Sequence, residues 1–160
     1  RNRHGGLGEQ AVLSGGYKIV PMIAEHIGDI AALEKICFSE PWSEASLAGE
    51  LTNSQAFFLV AVCGEGFAGY IGVLEICGEG YITNVAVHPR HRRRGVASGL
   101  IKAAAGGAKS RGCAFLTLEV RAGNAAAISL YSKLGFMPEG KRKNFYTAPV
   151  EDAVIMTLRF

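Results

Sequence analysis

The stretch of this sequence best equipped for chemistry runs from Asn84 to Leu100, where Arg90, Arg92, Arg93 and Arg94 stand between an apolar run and Gly95. Tyr81 to Val87 is β-branched and aromatic, as strands are. Pro89 ends it, because proline cannot donate to a sheet ladder. From Val96 the apolar residues recur as Val96/Ala97, Leu100/Ile101, Ala104/Ala105 and Ala108, which is one face of a helix. The arginines therefore fall where a helix exposes N–H groups that lack intrahelical partners and carry the positive end of the macrodipole. Such a terminus binds anions, phosphate above all. Gly95 leaves the backbone bare, Ala97 and Ser98 keep the approach open, and guanidinium forks suit phosphate oxygens. The pattern predicts a ligand that carries a diphosphate. A glycine and arginines alone would equally describe a solvated basic loop; the strand–loop–helix context favours the anion site. No G-x-x-x-x-G-K-[ST] occurs, and no G-x-G-x-x-G lies between a strand and a helix, so the familiar nucleotide loops do not apply.

Two further residues carry reactive groups. In the strand Ala114–Val120, alternation puts Leu116, Leu118 and Val120 on one face and Thr117 and Glu119 on the other. Glu119 is thus a carboxylate at the end of a strand that leads toward the arginine loop. A proton-accepting role and a plain ion pair with Arg121 or a loop arginine fit this spacing equally well. Tyr131 lies mid-helix between Ile128 and Leu134, a pattern that by itself describes packing, although a phenol at a cleft edge can donate a proton. Trp42, in the break Pro41-Trp42-Ser43, reads as core filler or as a substrate wall.

The elements that must position these groups follow from periodicity and breakers. Residues 1–16 are glycine-rich, polar and aperiodic and are set outside the fold as a flexible tail, leaving 17–160 as a single domain. Tyr17–Ile23 is a strand. Ala24–Cys37 is a helix with Ile27, Ile30, Leu33 and Cys37 on one face, and Ser43 caps a second helix. Phe57–Cys63, Phe67–Ile76 and the strand before the arginine loop form an antiparallel meander. The helix Val96–Arg111 leads to Ala114–Val120, and a strand–helix–strand unit of this length implies a right-handed crossover and a parallel pair. Asn124 caps the helix Ala125–Leu134, which Gly135 ends. Phe136–Tyr146 and Val150–Phe160 close the chain as an antiparallel pair. The expected fold class is α/β: a mixed, mostly antiparallel sheet with one parallel βαβ pair and helices on both faces. Ligands of such sheets lie beyond the carboxyl ends of the parallel strands, here Val87 and Val120.

With 160 residues the chain can bury a sizeable core without staples. A net charge of +3 does not demand a nucleic-acid partner, and no aromatic residues interleave with the arginines as stacking platforms would. Cys37, Cys63, Cys77 and Cys113 lack close spacing and read as reduced core or near-core thiols. His4, His26, His88 and His91 show no ligand spacing with them, so no metal is expected. No segment reaches the roughly 20 apolar residues of a membrane span. The expectation is a cytoplasmic protein with neither membrane nor nucleic-acid contact.

Several motifs, taken in order, resemble the GNAT N-acetyltransferase superfamily: Val85-Ala86-Val87-His88-Pro89, Arg92-Arg93-Arg94-Gly95-Val96-Ala97, Leu118-Glu119-Val120-Arg121, Asn124, Leu130-Tyr131 and Gly135-Phe136. The superfamily signature (Arg/Gln)-x-x-Gly-x-(Gly/Ala) is met by Arg92, Gly95 and Ala97. Pro41-Trp42-Ser43 and Glu151-Asp152-Ala153 add a likeness to its branch of ribosomal-protein-alanine N-acetyltransferases, and the resemblance spans 17–160. It implies acetyl-CoA as co-substrate, with the pantetheine along Val85, Ala86 and Val87. It places the diphosphate on Arg93, Arg94, Gly95, Val96, Ala97 and Ser98, with Arg92 and Asn124 also binding the cofactor. It implies Glu119 as general base, Tyr131 as general acid, and Trp42 and Tyr146 as acceptor walls, with Phe145 where a second tyrosine is expected. The implied acceptor is the basic N-terminal peptide of a small-subunit ribosomal protein, beginning with alanine. Glu34, Glu40, Glu44, Glu50, Glu75 and Glu79 would complement such a peptide if they line its entrance, and would form a solvated acidic face if they do not. Transfer to a lysine side chain or small amine, and CoA binding without turnover, are the competing readings.

Overall fold

The computed structural model describes residues 11–160. Its strands are β1 (Ala11–Val12), β2 (Tyr17–Pro21), β3 (Ala56–Cys63), β4 (Gly66–Ile76), β5 (Glu79–Val87), β6 (Phe115–Arg121), β7 (Met137–Thr147) and β8 (Val150–Arg159). They form one eight-stranded sheet in the order β1-β2-β3-β4-β5-β6-β8-β7. Every neighbouring pair is antiparallel except β5 and β6. The helices are α1 (Ile27–Cys37), α2 (Glu44–Glu50), α3 (Val96–Ser110) and α4 (Ala125–Lys133).

Alternation along the strands sorts apolar side chains into two cores. On one face, Ile71, Val73, Ile82, Leu116, Leu118 and Val120 pack with Leu100, Ile101 and Ala104 of α3 and with Tyr131 of α4. On the other, Phe58, Val60, Tyr70 and Ala86 meet Ile27, Ile30 and Leu33 of α1 and Leu47 of α2. Each fully buried Leu, Ile or Val here contributes about 1.5–3 kcal/mol relative to exposure.

Two features of the sheet create the site. The parallel pairing of β5 with β6 covers only Glu79–Phe115, Gly80–Leu116 and Tyr81–Thr117. Beyond Tyr81 the strands diverge, so the edge of β5 that faces β6 runs on without ladder partners among the described residues. Secondly, Gly72 pairs with Asn84 and Val73 with Ile82, which leaves Thr83 as an extra, bulged residue. The bulge reverses the alternation of β5: Ile82 and Val85 join one core while Ala86 joins the other.

The expected mixed sheet, single parallel pair, and helices on both faces are present. Three local expectations change. Residues 11–16 do not stand apart from the fold: Ala11 and Val12 pair with Ile19 and Lys18. A Cβ on Gly99 of α3 would lie 2.4 Å from Leu13 Cδ1, so Leu13 occupies the hollow that this glycine leaves. The rest of the proposed tail, residues 1–10, lies outside the described residues. The first helix begins as a 3₁₀ turn at Ala24–His26 and becomes α-helical only from Ile27. Cys77 is exposed on a turn, unlike Cys113, which is buried. Among the described residues no helix is long and apolar enough to cross a membrane.

Candidate active site

The arginine loop ends β5 as the sequence predicts. A short 3₁₀ turn, Pro89–His91, follows His88, whose Nδ1 accepts from the Arg90 main-chain N–H. Arg93 (φ 61°) and Gly95 (φ 77°) both take left-handed backbone, and Gly95 is the N-terminal cap of α3. Among the described residues nothing lies within 4 Å of where a Cβ on Gly95 would sit, which leaves the helix terminus open to a ligand. This bare, left-handed cap with exposed arginines suits a phosphate group. Val96 buries its side chain and can offer only main chain there. Arg92 is turned inward: its Nε donates to the Val87 carbonyl at 3.3 Å and an Nη to Cys37 Sγ at 3.7 Å. It therefore ties the loop to the end of β5 and to α1, and among the described residues Arg90, Arg93 and Arg94 have guanidiniums without a partner.

Where β5 and β6 part, a cleft of about 690 Å³ opens. Val85, Glu119, Asn124, Tyr131, Trp42 and Tyr146 all line it. The sequence-predicted base, acid, acceptor walls and one pantetheine residue are thus brought together. Ala86 turns its side chain into the core behind α1, and Val87 with residues 92–98 lie outside the cleft lining.

Glu119 sits on the face of β6 away from Leu116, Leu118 and Val120, as alternation requires, and its side chain is 8% exposed. Its Oε2 accepts from the Tyr81 hydroxyl, and its Oε1 lies 3.2 Å from Arg142 Nε. Neither ion pair expected from sequence forms, because Arg121 instead meets Glu151 at 3.3 Å and stacks over the Tyr146 ring. A carboxylate has lone pairs beyond those two contacts and can still take a proton. Tyr131 reaches the cleft from α4, on the opposite face of the sheet. It is 7% exposed, and burial, followed by the nearby Tyr146, pushes its pKa up to about 12. Its phenol is consequently a proton donor throughout the physiological range. Asn124 caps α4 by accepting from Ala127 N at 3.2 Å. Phe145 is half-exposed at the mouth and meets Tyr146 edge-on.

The acidic residues separate. Glu40 lines the cleft and Glu34 lies in its wall, whereas Glu44, Glu50, Glu75 and Glu79 are elsewhere. Glu34 is no part of a solvated face: it is 1% exposed. Its carboxylate accepts from the Tyr70 hydroxyl, from Asn84 Nδ2 at 3.1 Å and from the Trp42 main-chain N–H at 3.4 Å. Burial raises its pKa, and those three donors pull it back. Sequence reasoning passed over Tyr70, Tyr81, Asn84 and Arg142, and it left Glu34 open between the acceptor entrance and a solvated face without foreseeing its burial. One signal for Glu34 was available: it falls seven residues after Ile27, on the apolar stripe of α1.

A mixed sheet that splays open beside a basic helix terminus, with a carboxylate and a phenol across the gap, defines an acyl-transfer architecture. The Acetyltransferase (GNAT) family model matches residues 27–136, and the chain belongs to that family. It is 37% identical over 136 residues to a Bacillus subtilis (strain 168) protein provisionally named [ribosomal protein bS18]-alanine N-acetyltransferase, covering 84% of this chain and 90% of that one. The Escherichia coli (strain K12) [ribosomal protein bS18]-alanine N-acetyltransferase is 36% identical over 128 residues, covering 79% and 86%. The crystal structure of the ribosomal-protein-S18-alanine N-acetyltransferase from Escherichia coli superposes with a TM-score of 0.82 at 31% identity, over 89% of this chain and 93% of that one. Arabidopsis thaliana NAA60, solved in complex with acetyl-CoA, shares the fold at a TM-score of 0.83 and 16% identity, over 90% and 99% of the chains.

Proposed function

We propose that this acetyltransferase moves the acetyl group of acetyl-CoA to the α-amine of an N-terminal alanine, on a ribosomal protein of the bS18 type. The observation that carries the reading is the cleft between β5 and β6, which gathers Glu119, Tyr131, Trp42 and Tyr146 at the end of the sheet where the Gly95 loop begins α3. The relatives named as bS18-alanine N-acetyltransferases support the acceptor.

Main-chain N–H groups at Gly95–Ser98, with Arg93 and Arg94, would hold the diphosphate of the co-substrate. The free edge of β5 from Val85 to Val87 offers ladder groups to an extended pantetheine arm, and the Val87 N–H can steady the oxygen of the thioester as charge develops on it. Asn124 stands at the same opening. An α-amine has a pKa of about 7.7–8.0, so much of it is protonated near neutrality and cannot attack. Glu119 takes that proton, directly or through water, and the freed amine attacks the thioester carbon. Tyr131 gives its proton to the departing thiolate. No acyl-enzyme is required, since base and acid line one cleft and alignment of the two reactants supplies much of the rate. Of the acidic residues, Glu40 is left to face a basic continuation of the peptide, because Glu119 and Glu151 are paired with arginines.

The test is acetyl transfer from acetyl-CoA to a panel of acceptors. Turnover is expected on a peptide with N-terminal alanine and a basic continuation, and no more than traces on free lysine side chains or small amines. Folded protein that binds CoA yet turns over none of them would sink the proposal.

A further inference from the structure

Glu34 and Asn84 form a buried pair that the mechanism above does not use. Glu34 comes from α1 and Asn84 from the strand β5, immediately after the bulge at Thr83. Both line the cleft. Glu34 offers only acceptors when ionised, and all three of its partners are donors: the Tyr70 hydroxyl, the Trp42 N–H and the Asn84 amide nitrogen. Such a partner settles which way the Asn84 carboxamide faces. The nitrogen must turn toward Glu34, so the oxygen must turn away. That oxygen, Asn84 Oδ1, is buried and has no hydrogen-bond partner among the described residues.

A buried carbonyl without a partner bears the full cost of its desolvation, and proteins seldom carry one without a use. Here the orphan belongs to a residue of the cleft wall, on the same face of the sheet as Glu119, and is flanked by Trp42 through the shared carboxylate. It can receive only a donor. The co-substrate offers amides along its pantetheine arm, but those lie along the main chain of β5. The acceptor offers an N–H group at the first peptide bond and the α-amine itself.

We propose that Asn84 Oδ1 is a hydrogen-bond acceptor for an N–H at the amino end of the acceptor peptide, and that Glu34 is the positioning residue that fixes the carboxamide in that orientation. The inference rests on the acceptor occupying this cleft. Glu34 acts only through Asn84 and Trp42 and touches no reacting atom. Tyr70 bonds the same Glu34 oxygen but makes no hydrogen bond to the amide itself.

Steady-state kinetics with an N-terminal-alanine peptide and acetyl-CoA separate these roles. Asn84→Leu, which keeps the volume and removes the oxygen, should raise the acceptor KM about tenfold, the worth of one hydrogen bond of about 1.4 kcal/mol, and leave the acetyl-CoA KM unchanged. Glu34→Gln should do the same, because its new amide can donate to Asn84 Oδ1 and consume it. The double variant should be no worse than either alone, as expected of residues acting as one unit. Tyr70→Phe, which keeps the Glu34–Asn84 contact, should leave the acceptor KM within about twofold, and this control does not depend on the Glu34 variant folding well. Unchanged acceptor KM in Asn84→Leu overturns the inference, as do additive effects in the double variant or a parallel rise in the acetyl-CoA KM. A wild-type protein with no transfer to the peptide overturns instead the function proposed above, and so the two failures are distinguishable.

Discussion

The arginine loop and the cleft lie at the same end of the sheet but are assembled on different terms. The loop is local. Its parts fall within Val87–Ser98, its useful groups are main-chain N–H, and its one conformational demand is the left-handed backbone at Arg93 and Gly95. The cleft is assembled from afar. Glu119 meets Tyr81 and Arg142 from β5 and β7, Tyr131 arrives from the other face of the sheet, and Glu34 bonds Asn84 fifty residues away. A local, main-chain site tolerates side-chain change and fails when its backbone cannot bend. A site of convergent side chains fails one group at a time.

That contrast can be broken by substitution. The largest effect is expected for Glu119→Gln, with kcat down about 10²–10⁴-fold as for loss of a general base, while acetyl-CoA affinity by calorimetry stays within about twofold. Loss of both together would make Glu119 structural and erase the division between the two regions. Tyr131→Phe should lower kcat by about 10²-fold. Because burial raises this phenol from 10.0 to about 12, the rate should show no alkaline loss from it below about pH 11. Its sign in stability follows: the proton is held more tightly in the folded state, so its contribution is complete below pH 10 and is lost between about pH 10 and 12. Denaturant midpoints across that window, with Tyr131→Phe as control, measure it.

Gly95→Ala tests the other region. No atom obstructs the new methyl, but left-handed backbone costs a non-glycine residue about 1–2 kcal/mol. The acetyl-CoA KM should rise about five- to thirtyfold with the acceptor KM unmoved. A change confined to the acceptor would refute the loop's role. The smallest effect is expected where the loop is braced against β2. Tyr17, buried in β2, bonds His91 Nδ1 of the loop at 2.7 Å. Tyr17→Phe should cost about 1 kcal/mol, read as a melting point lower by about 2–4 °C, with acetyl-CoA affinity weakened slightly and kcat retained.

Much of the fold was legible because its signals are local. Proline at 89, the change of period at Val96, the Ser43 and Asn124 caps and the turn glycines each act within one element, and each sits where expected, with Ser43 Oγ accepting from Ser46 N. Three things were illegible for the same physical reason, that they depend on what lies across space. The pairing of residues 11–12 with β2 has no periodicity to reveal it in so short a strand. The bulge at Thr83 overturns the alternation that would set Ile82 and Ala86 on one face. Glu119 takes Arg142 of β7 as its partner, rather than Arg121, because Glu151 of β8 engages Arg121.

The sequence by itself determined the elements, the basic helix terminus, and the places of a carboxylate at 119 and a phenol at 131, since propensity, capping and helix-end electrostatics are properties of neighbouring residues. Only the tertiary structure decided that β5 and β6 separate after three pairs, and which way the Asn84 amide turns. Those outcomes depend on packing between two faces of a sheet and on hydrogen bonds between residues far apart in the chain, and no local pattern of side chains encodes them.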